Sequence, residues 1–256
     1  MDSNSNTPFS LKGKNIVITG ASSGIGKQCV ISASALGAFV ILVGRSEERL
    51  KETAGLLDNK NYSIVVSDIT HYEDTVSKLE IGIENLKIDG IIHAAGISTT
   101  LPLRNITPEK LQPFFETNVF AAINITKLLT KSKYANPEGM SVVFIASVMG
   151  VVGELGKTTY SLTKGALVAG TKSLALELAS KNIRVNCVLP GVVETPMSAN
   201  AVYSQNEEAY SKIKSYHPIG LGKPEDVANA CTFLLSNASR WITGTNLIVD
   251  GGYTAR

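Results

Sequence analysis

Tyr160 and Lys164 lie four residues apart in a stretch with a helical pattern, so their side chains share one face. Ser147 closes the apolar run Val142-Val143-Phe144-Ile145-Ala146. A tyrosine is a reluctant acid or base near neutrality, with an ordinary pKa of about 10. A neighbouring ammonium favours the phenolate and draws that value toward working pH. A serine hydroxyl nearby can hydrogen-bond a carbonyl or alkoxide oxygen as charge develops on it. The three together suit reduction of a carbonyl, with hydride arriving from one side and a proton donor serving the oxygen from the other. Taken singly, each has a plain structural use: Tyr160 in helix packing, Lys164 on a solvated face, Ser147 at a strand end.

Hydride needs a carrier, and a turn suited to one lies near the N-terminus. The apolar run ending at Thr19 leads straight into Gly20-Ala21-Ser22-Ser23-Gly24-Ile25-Gly26, and a helical pattern follows. Glycines there permit a tight turn and let the backbone approach a pyrophosphate, whose charge faces the helix N-terminus. The spacing departs from G-x-G-x-x-G, and the flanking strand and helix give the motif its weight. At the end of the second strand an acid would bind a ribose 2′-OH, whereas an arginine accommodates a 2′-phosphate. Here the residues are Val43-Gly44-Arg45-Ser46, which predicts NADP(H) in preference to NAD(H). Asp68, in Ser67-Asp68-Ile69, is placed either to cap the next helix or to hold the adenine amino group.

These groups need a scaffold that brings them to one edge. Strands are predicted at 15–19, 39–43, 63–67, 90–93, 141–146, 184–188 and 246–249, several of them apolar on both faces. Helices are predicted at 25–36, 47–57, 72–86, 108–130, 159–180 and 224–235. Repeated βα alternation implies an α/β fold with a doubly wound parallel sheet. No linker divides the 256 residues, so a single domain over 11–256 is expected after a polar tail, 1–10. The segment 191–222 breaks the rhythm beyond the carboxyl ends of the strands and is read as a substrate lid. The net charge, 24 − 22 = +2, argues against a nucleic-acid partner. No apolar run reaches membrane-spanning length, and the N-terminus lacks a signal-peptide pattern, so a cytoplasmic protein without a membrane partner is expected. Cys29, Cys187 and Cys231 have neither disulfide nor metal spacing and read as buried small residues.

The ordered motifs, TGASSGIG at 19–26, AAG at 94–96, Asn118, Ser147, YSLTK at 160–164, PGVVET at 190–195 and TGTNLIVDGG at 243–252, resemble the short-chain dehydrogenase/reductase family over nearly the whole chain. That resemblance implies a Rossmann-like seven-stranded sheet of order 3-2-1-4-5-6-7 and a catalytic tetrad of Asn118, Ser147, Tyr160 and Lys164. In it Tyr160 is acid or base, Ser147 orients the substrate oxygen and Lys164 binds the nicotinamide ribose. Asn118 holds a water of a proton relay. Cofactor contacts are expected from Gly20, Ser22, Ser23, Gly24, Ile25, Gly26, Arg45, Asp68 and Ile69. Ala95, Gly96, Tyr160, Lys164, Pro190, Gly191, Val193 and Thr195 complete that set, and no metal is implied.

The chain departs from the family pattern at His93-Ala94-Ala95-Gly96, where two asparagines usually precede Ala-Gly. Their loss removes amide hydrogen bonds from that loop. Ser23 stands where NADP-linked members often carry a base, leaving the preference to Arg45. Within the family the chain is most similar to 3-oxoacyl thioester reductases, although the stretch Leu174–Leu178 lacks the arginine with which many of these grip an acyl carrier. Reduction of a sugar, steroid or other small ketone is the alternative, and a non-catalytic nucleotide sensor a remoter one. Met149, Val151, Leu155, Met197 and Tyr203 are expected in the substrate pocket. Apolar and small residues on more than one face of 159–180 add a neighbouring subunit, and the family resemblance implies a homotetramer.

Overall fold

The structure, a computed structural model, describes residues 7–199, 201, 204 and 206–255. Its elements in chain order are β1 (Asn15–Thr19), α1 (Gly24–Ala35), β2 (Phe39–Gly44), α2 (Glu47–Ala54), β3 (Tyr62–Val66), α3 (Tyr72–Ile83) and β4 (Gly90–His93). Then follow α4 (Pro108–Phe115), α5 (Ala121–Leu129), β5 (Met140–Ile145), α6 (Thr158–Leu178), β6 (Ile183–Pro190), α7 (Pro196–Ala199), α8 (Glu207–Ser215), α9 (Pro224–Leu235) and β7 (Asn246–Val249). All strand pairs are parallel, in the order β3-β2-β1-β4-β5-β6-β7.

Alternation of side chains across each strand explains why the strand sequences are apolar throughout. Ile16, Ile18, Val40, Leu42 and Ile92 pack under α1, α2 and α9, while Val17, Ile41, Val43, Ile91 and Phe144 pack under α3, α5 and α6. The strands therefore sit between two helical layers, and their carboxyl ends emerge together at one edge.

Several boundaries differ from those expected, each for a local reason. The single helix predicted over 108–130 is divided by a π-helical turn at Glu116–Phe120, three residues after Pro113, whose missing N–H already weakens the helical ladder. α3 stops at Ile83 because Glu84 takes φ +44°. β3 begins one residue early, and Ser67 instead bonds Thr75. Residues 7–10 of the predicted tail stay largely exposed but touch the domain: the Pro8 carbonyl accepts from Ala238 N at 2.8 Å, and the half-exposed Phe9 ring lies 6.3 Å from the Phe233 ring. The segment 191–222 is closed at its neck, where Glu194 N donates to Gly222 O and Gly222 N to Val192 O.

Candidate active site

The sheet order reverses between β1 and β4, and the crevice this leaves beyond the strand ends holds the glycine turn. Gly20 has φ +68°, and a Cβ there would lie 2.7 Å from Ala95 N; a Cβ on Gly26 would collide with the Gly20 carbonyl. Only glycine lets β1, the turn and the β4 loop meet this closely. The first turn of α1 carries no acid, and Ser23 at its N-cap makes no side-chain capping bond. Its first turn and the Ser22 and Ser23 hydroxyls line the groove with no carboxylate among them, a fit for a dinucleotide pyrophosphate. The groove is walled by Gly20, Ser22, Ser23, Gly24, Ile25 and Gly26, with Ala95 and Gly96 opposite, and Arg45, Asp68 and Ile69 at its far end.

Arg45 is largely exposed, its guanidinium 4.0 Å from the Asp68 carboxylate. Partial burial disfavours charge on Asp68, but hydrogen bonds from Thr70 and the Arg45 and His71 charges outweigh it and hold the carboxyl below its ordinary pKa. Asp68 thus braces the next turn through Thr70 while remaining on the groove wall.

Tyr160, Lys164 and Ser147 line a second hollow that shares Ile25, Ala94, Gly96, Thr195 and Met197 with the groove. Pro190, Gly191 and Val193 form another wall of it. The Lys164 ammonium is buried, donates to Ile145 O at 2.7 Å and lies 5.5 Å from the centre of the Tyr160 ring. Burial pulls its pKa down to about 8, against the opposing pull of Cys187. Ser147 takes extended backbone geometry after β5, and its Oγ accepts from Met149 N at 3.2 Å.

Asn118 is buried and lines neither hollow. From the π turn its Oδ1 accepts from Ile97 N at 2.8 Å, and its Nδ2 donates to Ile97 O and to Thr163 Oγ1, both at 3.0 Å. Thr163 in turn donates to Tyr160 O. The side chain thereby ties the β4 loop to α6. It also supplies hydrogen bonds to the loop whose usual asparagines are absent, helped by Thr19 Oγ1 accepting from Ala95 N. His93 turns into the core, Nε2 at 2.8 Å from Thr126 Oγ1 and its ring stacked on Phe144; burial draws its pKa down to about 3.

Of the pocket residues expected from sequence, Met149 and Met197 line the hollow. Val151 and Leu155 do not: Leu155 is 95% exposed, because the 3-10 turn at Val148–Gly150 directs the following loop outward. Tyr203 lies outside the described residues. Thr163 and His217 were missed; the paired glycines 251–252 were the one signal for His217, since both pack against the His217-Pro218 corner.

A family model described as Enoyl-(Acyl carrier protein) reductase matches residues 20–254. The chain is 36% identical over 250 residues to 3-oxoacyl-(acyl-carrier-protein) reductase FabG of Thermotoga maritima, covering 94% of this chain and 98% of that protein. Its fold matches a short-chain type dehydrogenase/reductase from Mycobacterium marinum with a TM-score of 0.88 and 28% identity, over 97% of this chain and 98% of that one. It likewise matches a protein assigned as an NAD(P)-dependent gluconate 5-dehydrogenase from Beutenbergia cavernae, solved with NADP bound, with a TM-score of 0.88 and 28% identity over 98% and 100% of the chains.

Proposed function

The chain belongs to the short-chain dehydrogenase/reductase family, and from that premise we propose that Tyr160, Lys164, Ser147 and Asn118 serve an NADPH-linked reduction of a 3-oxoacyl thioester to its 3-hydroxy product. The coarser activity, NAD(P)H-dependent interconversion of a ketone and a secondary alcohol, follows from the family and its relatives. One observation carries the assignment of roles: the hollow holding Ser147, Tyr160 and Lys164 shares a wall with the glycine-turn groove. A bound nicotinamide supplies the hydride. Tyr160 gives its phenolic proton to the carbonyl oxygen and in the reverse direction recovers it as phenolate. Ser147 donates a hydrogen bond to the same oxygen. The Lys164 ammonium favours the phenolate, and Asn118 holds the β4 loop against α6. In this reading the segment 191–222 covers the substrate.

Arg45 carries the NADP preference, since the end of β2 presents a guanidinium and no acid. Arg45→Ala is expected to raise KM for NADPH about tenfold or more and to leave KM for NADH nearly unchanged, from the loss of one charge-assisted contact. Initial rates with each coenzyme check this; an equal rise for both would remove Arg45 as the reader of the 2′-phosphate. The thioester is favoured by the relatives named for it. Acetoacetyl-CoA, assayed beside sugar and steroid ketones, tests it, and turnover of the others alone would overturn it.

A homotetramer goes with this reading. α6 turns Leu162 and Leu176 outward, Phe120 is exposed beside it, and α4 buries none of its own residues within the chain. Light scattering should return about four times 27.2 kDa; the mass of one chain would overturn the assembly. A cytoplasmic location also fits, with three buried free thiols and no helix among the described residues long and apolar enough to cross a membrane.

A further inference from the structure

His217 sits where three segments of the site meet, and it is 3% exposed. Its Nε2 accepts from Val192 N at 3.1 Å, and its Nδ1 lies 2.8 Å from Ile213 O near the end of α8. A backbone amide can only donate and a carbonyl can only accept. The two partners therefore fix one tautomer: neutral imidazole, proton on Nδ1, lone pair on Nε2. Gly191 is pressed so close that a Cβ on it would lie 3.0 Å from Nε2 and 2.9 Å from Asp250 Cα. The C-terminal turn closes the other side, with Tyr253 5.0 Å from the imidazole ring and Ile219 N donating to Gly251 O.

Resting on the family reading above, we propose that His217 is a positioning residue for the nicotinamide end of the cofactor site. Its neutral ring latches the loop 190–195 to the end of α8. Without an acceptor at Nε2 the Val192 amide is released and that loop loosens. The C-terminal turn backs the ring from the other side: Asp250, at its start, accepts from Gly252 N and from Thr254 N and Oγ1, which holds Tyr253 against the imidazole.

The test compares the wild-type chain with His217→Gln and His217→Leu. Glutamine keeps an acceptor for Val192 N; leucine has none. Binding of NADP+ and of NAD+ is measured by titration calorimetry at pH 8, and amide exchange of 190–195 is followed without cofactor. His217→Gln is expected to bind within about threefold of the wild type, and His217→Leu about tenfold more weakly with faster exchange of the Val192 amide. A His217→Leu chain that binds as tightly as His217→Gln, or that exchanges Val192 no faster than the wild type, would overturn the latch. A merely structural residue would lower thermal stability in both variants without separating their coenzyme affinities. Failure of the wild type to bind either coenzyme would count against the family reading instead, while the exchange data still decide the latch.

Discussion

Replacing Tyr160 with phenylalanine is expected to lower kcat by about 10²–10⁴-fold, the range usual for loss of a positioned general acid. KM for the coenzyme and thermal stability should stay near wild type. The ring remains in the hollow beside Lys164, so packing is conserved, and only the group able to move a proton is removed. Ser147 cannot readily replace it, because a serine hydroxyl is a far weaker acid than a phenol at these pH values. Lys164 cannot replace it either, since its ammonium is engaged at Ile145 O. Steady-state rates with a turned-over ketone and calorimetric coenzyme binding check both halves. Turnover near wild type would place the proton donor elsewhere.

Replacing Lys164 with methionine is expected to cost about 10²–10³-fold in kcat and yet to leave the fold as stable at pH 7 or more so. The catalytic loss follows from withdrawing the only ammonium set against the Tyr160 ring among the described contacts. The stability argument runs through burial. The folded chain releases the Lys164 proton near pH 8, whereas the unfolded chain keeps it to about 10.5. Between those values the unfolded state binds more protons, so this residue makes stability rise with pH there. Below pH 8 its full cost is present, about 3 kcal/mol from the displacement of the pKa. Methionine removes that cost but leaves the Ile145 carbonyl without its donor, an opposing loss of about 1–3 kcal/mol. Cys187, pushed up to about 11 chiefly by burial and held back from rising further by the Lys164 charge, titrates with the opposite slope, so the comparison is cleanest between pH 7 and 8.5, below the ordinary thiol range. Denaturant unfolding at pH 7, 8.5 and 10 reads it. A wild type that gains nothing relative to the variant as pH rises would refute the buried-charge account.

Much of this arrangement was legible beforehand because its signals are local. Gly20, Gly24 and Gly26 announce a tight turn, and the i, i+4 spacing of Tyr160 and Lys164 shares a face on any helix. Alternating strand and helix periods imply a parallel sheet, and the strand order expected from the family resemblance is the one found. The π turn at Asn118 was not legible, because a one-residue widening of a helix leaves the apolar periodicity nearly intact. Leu155 misled for a related reason: its sequence position between Ser147 and Tyr160 says nothing of the outward turn taken in between.

The sequence by itself determined which chemical groups the chain possesses and the short-range geometry that spacing dictates: the glycine turn, the Tyr–Lys pair, the guanidinium after β2. Tertiary structure alone decided how those groups are held. Asn118 braces Ile97 and Thr163 from 21 and 45 residues away, and Val192 finds its acceptor on His217, 25 residues on. The physical reason is that a hydrogen bond depends on distances of about 3 Å in space. Separation along the chain carries that information only within a turn, a helix or a paired strand.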